Sequence, residues 1–204
     1  MALRIFAFNC TLKPSPAQSS TDKLLDEILA GFKQYGGEGE IVRAVDFNIK
    51  PGVSSDEGAG DDWPALRKKV LAADVFVVGT PIWLGQPSSV CKRMLERMDA
   101  FLSETDDQER MPPYGRVGLV AVVGNEDGAH HVSAEVFQAL NDAGFSLAPN
   151  AMTYWVGEAM GRKDYKDLKT SPKTTTRATA MMVAAAAHLA GVLKQHAYPG
   201  LKKK

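Results

Sequence analysis

Residues 74–89 read DVFVVGTPIWLGQPSS. The positions 75–78 are all apolar, which is typical of a strand buried on both faces of a parallel sheet. A Gly-Thr-Pro sequence at 79–81 ends this strand, and a helix is predicted to begin at Ser88. Because ligands bind outside the carboxyl ends of the strands in such sheets, the loop 80–89 is predicted to border a ligand site.

The rest of the chain alternates between strand and helix patterns. Further strands are predicted at 3–8, 40–45, 116–123 and 145–155, the last of them interrupted near Pro149-Asn150. Helices are predicted from Ser20 to the glycines at 36–37, from a carboxylate N-cap at Asp61-Asp62 to 73, from Ser88 to 101, from 131 to Gly144 and from 176 to 195. This alternation predicts an α/β fold, in which helices cover both faces of a parallel sheet, as a single domain over residues 1–204.

The composition narrows the possible functions. The chain has 24 Lys and Arg against 24 Asp and Glu, so its net charge of zero does not favour binding to nucleic acid. The basic terminus at 201–204 is too short to change this. The first residues lack a signal-peptide pattern, and the longest apolar segment, 178–193, contains His188, so a cytoplasmic protein with no membrane partner is expected. Cys10 and Cys91 lack metal-ligand spacing, and no metal site is expected.

The loop after the first strand is rich in hydroxyl groups and leads directly into a helix. Its candidate ligand-binding residues are Thr11, Lys13, Ser19, Ser20 and Thr21. Free amides and the helix dipole favour an anion at a helix N-terminus, and the hydroxyls add hydrogen-bond donors. The loop contains neither G-x-G-x-x-G nor G-x-x-x-x-G-K-[ST], so a monophosphate is the predicted group. The alternative is an ordinary Ser/Thr helix cap.

The loop after the 75–78 strand supplies an apolar surface. Its candidate residues are Pro81, Ile82, Trp83, Leu84 and Gly85. Apolar groups and open backbone suit a flat aromatic ligand. The alternative is that Trp83 only fills the top of the sheet.

The loop after the 116–123 strand supplies polar groups. Its candidate residues are Gly124, Asn125, Glu126, Asp127 and Gly128, where the glycines allow close backbone approach and the polar side chains suit a polar ring edge. His130 and His131 follow, but adjacent residues do not share a helix face, so they do not indicate a metal site. Together the three loops outline a site for flavin mononucleotide (FMN).

These residues resemble the flavodoxin-like NADPH-dependent FMN reductase family, which includes quinone reductases and iron–sulfur flavoproteins. The resemblance covers nearly the whole chain. Segments 19–21, 73–85 and 124–128 resemble its phosphate loop, its GTP-aromatic-G loop and its glycine-rich flavin loop. The resemblance implies a three-layer α/β/α sandwich with a five-stranded parallel sheet in the order 2-1-3-4-5. It also implies non-covalently bound FMN.

The resemblance further implies an oxidoreductase that passes reducing equivalents from NADH or NADPH through FMN to a small acceptor, as a homodimer or homotetramer. No catalytic side chain is expected, because the flavin carries the chemistry. The segment 49–62 has no cysteine where the iron–sulfur branch holds its cluster, so no cluster is expected. Two alternatives stay open: a flavodoxin-type electron carrier, which the zero net charge disfavours, and a regulatory protein with an empty site.

Overall fold

The computed structural model describes residues 2–201, so Met1 and the basic residues 202–204 lie outside it. The strands are β1 (Leu3–Asn9), β2 (Gly37–Arg43), β3 (Val75–Trp83), β4 (Gln86–Pro87), β5 (Val117–Gly124) and β6 (Ser146–Val156). Five of them form a parallel sheet in the order β2-β1-β3-β5-β6. The predicted sheet and strand order are confirmed. The two-residue β4, antiparallel to the end of β3, was not predicted.

Helices cover both faces of this sheet. They are α1 (Ser20–Lys33), α2 (Trp63–Ala72), α3 (Ser89–Arg97), α4 (Ala129–Asp142) and α5 (Lys173–Gln195), with short 3-10 turns at Ala44–Asp46, Met98–Leu102 and Tyr165–Asp167. Helices α1 and α5 pack on one face, and α2, α3 and α4 pack on the other. The side chains of Ser19 and Ser88 cap α1 and α3 by accepting backbone amides of the first turn.

The central strand β3 is buried on both faces. Phe76 and Val78 contact the α2–α3–α4 layer, whereas Val75 and Val77 contact the α1–α5 layer. All four side chains are fully buried. This two-sided burial is the physical reason for the uninterrupted apolar run in the sequence.

Helix α5 is long and apolar enough to cross a membrane by length and composition. In the structure it instead packs as a core helix of the sandwich, with Met182, Val183, Ala186 and Ala190 buried against the sheet and α1. Its small alanines allow this close approach.

Three local predictions were wrong. Strand β3 does not end at Gly79-Thr80-Pro81 but continues through these residues to Trp83, pairing with β5 as far as Pro81. Strand β2 starts at Gly37 and not at 40: of the two glycines expected to end α1, Gly36 (φ of +68°) lies between helix and strand, and Gly37 is already the first residue of the strand. Asp62 makes no side-chain cap on α2, since its carboxylate accepts the amide of Asn48 at 2.8 Å, whereas the neighbouring Asp61 carboxylate accepts the amide of Trp63 at 3.2 Å. The predicted interruption of the last strand is confirmed, with a register shift near Asn150.

Candidate active site

A cleft of about 540 Å³ lies at the carboxyl edge of the sheet. It is lined by Thr11, Leu12, Lys13, Ser19, Ser20, Thr21, Pro81, Ile82, Trp83, Leu84, Val123, Gly124, Asn125, Glu126, Trp155, Met160, Gly161 and Asp164. The structure therefore brings together all predicted site residues except Gly85, Asp127 and Gly128. The sequence analysis did not predict Leu12 or Val123. It also missed four residues at the end of β6 and after it, Trp155, Met160, Gly161 and Asp164.

One end of the cleft is formed by the N-terminus of α1. The hydroxyl oxygen of Ser19 accepts the amide of Asp22 at 3.4 Å, which leaves the amides of Ser20 and Thr21 without a partner among residues 2–201. Gly79 lets α1 begin this close to β3, because a Cβ there would lie 2.9 Å from the Cγ2 atom of Thr21. Free amides and hydroxyls thus face the cleft where an anion can bind.

The preceding loop is fixed by the fully buried Asn9 at the end of β1. Its side-chain oxygen accepts the amide of Thr11 at 2.9 Å, and its side-chain nitrogen donates to the carboxylate of Asp22. Thr11 is in turn 6% exposed, and its hydroxyl accepts the amide of Lys13 at 3.3 Å. The first turns of the loop therefore have a defined conformation.

The apolar and polar loops contact each other directly. The amide of Leu84, a residue with φ of +51°, donates to the Glu126 carboxylate at 2.9 Å. Gly128 has φ of +127°, and a Cβ there would lie 3.0 Å from the backbone of Gly85. Asp127 accepts the amide of Gly128 at 2.7 Å. Of the three predicted residues outside the cleft lining, Gly85 and Gly128 thus form the contact between the two loops, and Asp127 bonds within its own loop.

The two histidines after this loop have separate neighbours. The ring of His130 meets that of Tyr154 edge to face, with centroids 5.3 Å apart. His131 lies 2.8 Å from the Glu135 carboxylate and 2.9 Å from the side-chain nitrogen of Gln86. Neither contact places a histidine in the cleft lining.

The segment after β6 forms a further wall of the cleft. Asn125 holds it, because its backbone oxygen accepts the amide of Met160 at 3.0 Å and its side-chain nitrogen donates to Asp164 at 3.0 Å. The amide of Gly157 donates to the backbone oxygen of Gly124 at 2.8 Å. The side-chain N–H group of Asn125 is therefore engaged in a hydrogen bond within the protein. No periodic pattern marks this segment, so the sequence offered little signal for it beyond its glycines.

Helix α1 anchors the same segment from below. The buried hydroxyl of Tyr165 donates to the Glu27 carboxylate at 2.6 Å, and burial together with this hydrogen bond raises the pKa of Tyr165 well above its usual value. The ammonium group of Lys23 donates to the backbone oxygens of Tyr165 and Leu168 at 3.2 and 2.6 Å. The wall is thus attached to the helix whose N-terminus lines the cleft.

A parallel sheet in this strand order, with a ligand cleft at its carboxyl edge beside a helix N-terminus with free amides, is the arrangement of flavodoxin-like proteins, which bind FMN there. The family model for NADPH-dependent FMN reductase matches residues 3–161. The chain belongs to this family.

Three matches to known proteins each cover more than nine-tenths of this chain. It is 35% identical to the 8-demethyl-8-aminoriboflavin-5'-phosphate synthase of Streptomyces davaonensis, over 97% of this chain and 81% of the synthase. The crystal structure of RosB with the bound intermediate 8-demethyl-8-formylriboflavin-5'-phosphate superposes with a TM-score of 0.88 at 33% identity, over 96% of this chain and 82% of RosB. The chain is also 37% identical, over 94% of its length, to the divalent metal cation transporter MntH of Mycobacterium bovis, but spans only 29% of that protein.

The chain is therefore a flavoprotein enzyme, an FMN-dependent oxidoreductase whose family uses FMN and a reduced nicotinamide. The residues present fit FMN: the unpartnered amides of Ser20 and Thr21 and several hydroxyl groups stand at one end of a cleft of about 540 Å³, and a half-exposed indole, Trp83, stands at its rim. The 52% exposure of this side chain also rules out a buried plug on the sheet.

Replacing Trp83 with alanine is expected to reduce the quenching of flavin fluorescence when FMN binds, because an indole stacked near the ring quenches it. Titration of FMN with each protein, followed by flavin emission, measures this. Trp63→Phe is the matched control, since Trp63 is fully buried beneath the sheet against Phe8. Equal quenching by Trp83→Ala and the unmodified protein would place the indole away from the ring.

Proposed function

We propose that this chain passes reducing equivalents from NADH or NADPH through bound FMN to a small acceptor such as a quinone or a flavin. FMN supplies hydride acceptance from a nicotinamide and electron donation to an acceptor. The observation that carries the proposal is that a helix N-terminus with free amides and an exposed aromatic side chain, Trp83, line one cleft.

The side chains at each part of the cleft have separate roles in this proposal. Thr11, Ser19, Ser20 and Thr21 would hold the phosphate with the first amides of α1, and Lys13 would add a positive charge. Residues 81–85 would line the ring, with loop 124–128 at its polar edge. Met160 and the segment after β6 would border the ligand on the opposite side. No protein acid or base is required, because hydride transfer between stacked rings moves no proton through a side chain.

Anaerobic titration of the FMN-loaded protein with NADH and with NADPH tests the proposal. The flavin absorbance is expected to bleach with at least one nicotinamide and to return when a quinone is added. Bound FMN that neither nicotinamide bleaches would favour a flavodoxin-type electron carrier. A protein that does not bind FMN would contradict the site itself.

A second candidate function treats the flavin phosphate as the substrate. The similarity to a riboflavin-phosphate-modifying synthase and to RosB, which was solved with a flavin intermediate, favours it. Mass spectrometry of the flavin recovered after incubation separates the two candidates. An unchanged mass after many cycles of reduction and reoxidation supports FMN as cofactor, whereas a changed mass supports flavin modification.

We further propose that the protein is cytoplasmic and forms a homodimer or homotetramer. Support for assembly comes from the rim of the cleft, where the apolar side chains of Leu84 and Met160 are 91% and 92% exposed. Light scattering on the purified protein gives the number of subunits.

A further inference from the structure

The phosphate end of the cleft is braced from outside by Arg43, which lines no part of the cleft. Arg43 ends β2, and its side chain is only 10% exposed. One guanidinium nitrogen, Nη1, donates to the backbone oxygens of Lys13 and Pro14 at 3.1 and 3.0 Å. The other, Nη2, pairs with the carboxylate of Asp22 in the first turn of α1. A single nearly buried cation therefore joins the tip of the loop to the start of the helix.

Asp46 holds the next residue of the same loop tip. Its carboxylate accepts both the amide and the hydroxyl of Ser15, at 2.9 and 2.6 Å. Those hydrogen bonds lower the pKa of Asp46 from its ordinary value. The hydroxyl of Ser15 is thereby committed to Asp46, in agreement with its position outside the cleft lining. Arg43 and Asp46, three residues apart after β2, thus fix residues 13–15 from behind.

Arg43 also offsets a negative charge that would oppose phosphate binding. Asp22 lies beside the free amides of α1, and its carboxylate is paired with Arg43 and with the side chain of Asn9. Like charges repel each other, so an uncompensated carboxylate in the first turn of α1 would weaken the binding of a phosphate at its N-terminus.

We propose that Arg43, together with Asp46, is a positioning residue that gives the site its preference for phosphorylated over unphosphorylated flavin. It acts by fixing the loop tip at 13–15 and by offsetting the charge of Asp22, without touching the ligand. The inference deepens the proposed flavin site and rests on it.

Comparison of FMN with riboflavin tests this role, because riboflavin lacks only the phosphate. Arg43→Met is expected to weaken FMN binding by on the order of tenfold, the scale of one charge-assisted hydrogen bond, and to leave riboflavin binding unchanged. Adding Asp22→Asn to Arg43→Met is expected to recover part of the FMN affinity. The matched control is Arg4→Met, since Arg4 is 69% exposed and pairs with Asp74 away from the cleft.

Asp46→Asn provides a second variant in case Arg43→Met does not fold. It is expected to lower FMN affinity by a smaller factor with riboflavin affinity again unchanged. Equal losses for the two flavins, or an unchanged FMN affinity in both variants, overturn the inference. If the unmodified protein binds neither flavin, the flavin site fails as well, and that result is visible before any variant is made.

Discussion

Replacing Arg97 with alanine is expected to lower the free energy of unfolding by roughly 3–5 kcal/mol, the cost of removing one partner of a buried ion pair. The side chains of Arg97 and Asp61 are both fully buried and lie 2.7 Å apart. The guanidinium also donates to the backbone oxygens of Ser54 and Lys50 at 3.0 Å. Without it, the Asp61 carboxylate loses its charged partner and keeps only backbone amide donors, and two backbone carbonyl groups lose the guanidinium donor. Urea unfolding followed by circular dichroism measures the change.

Arg93→Ala is the matched control for this variant. Arg93 lies one turn earlier on α3, is exposed and makes only a 3.5 Å contact with the backbone oxygen of Ile49. Its replacement is expected to change stability by no more than about 0.5 kcal/mol. A similar small loss for Arg97→Ala would show that the loop 48–62 is not held by the buried pair.

Acid unfolding gives an independent readout of the same pair. Burial alone would raise the pKa of Asp61, but the hydrogen bonds from Arg97 and from the amides of Glu57, Trp63 and Lys50 outweigh it and hold the pKa well below its ordinary value. The lowered pKa of Asp61 adds to the free energy of unfolding. This contribution is fully present at pH values above the unfolded-state pKa of about 3.9 and is lost as the pH falls below that value. Urea unfolding between pH 5 and pH 3 should therefore show a shallower loss for Arg97→Ala than for the unmodified protein.

The sequence predicts the parts of the fold that depend on local patterns. The continuous apolar run of β3 identifies a central strand, and parallel topology then brings the loops after β1, β3 and β5 to one edge. Arg97 was missed because its partners lie 36 to 47 positions away. A signal was present, since Arg97 interrupts an inward-facing apolar pattern formed by Met94 on α3 and Met98 in the 3-10 turn that follows it. A charge on an apolar helix face indicates a buried partner.

The sequence also predicted some parts of the site and missed others, again because contacts between residues far apart in the chain leave no local pattern. In the hydroxyl-rich and glycine-rich loops the relevant groups belong to adjacent residues, so the sequence shows them directly. The parallel topology then places these loops around one cleft. The wall that contains Met160 and Asp164 was missed because contacts with Asn125, 35 to 39 positions earlier, fix it. The bracing role of Arg43 likewise depends on a loop 29 to 30 positions before it. The single-domain organisation and the role of each site residue stay predictions.

Removing the hydroxyls of Ser19 and Thr21 is expected to weaken FMN binding by roughly 1–3 kcal/mol, or about 5- to 150-fold in the dissociation constant. The oxygen of Ser19 already accepts N–H groups from Asn9 and Asp22, each at 3.4 Å, so its own proton is free to donate. The hydroxyl of Thr21 has no hydrogen-bond partner within the described part of the chain, although the residue is only 2% exposed. The hydroxyl groups of Ser19 and Thr21 can therefore both donate a hydrogen bond to an acceptor that does not belong to the protein.

The choice of substitutions separates phosphate binding from helix capping. Ser19→Gly keeps an acceptable N-cap at a cost of a few tenths of a kcal/mol, whereas alanine would cost about 1 kcal/mol of helix stability. Thr21→Val keeps the shape that packs against Gly79 and removes only the hydroxyl. Isothermal titration of the double variant with FMN and with riboflavin then gives the decisive comparison. A selective loss for FMN assigns both hydroxyls to the phosphate, whereas parallel losses for both flavins would mean that the substitutions had disturbed the ring end of the cleft instead.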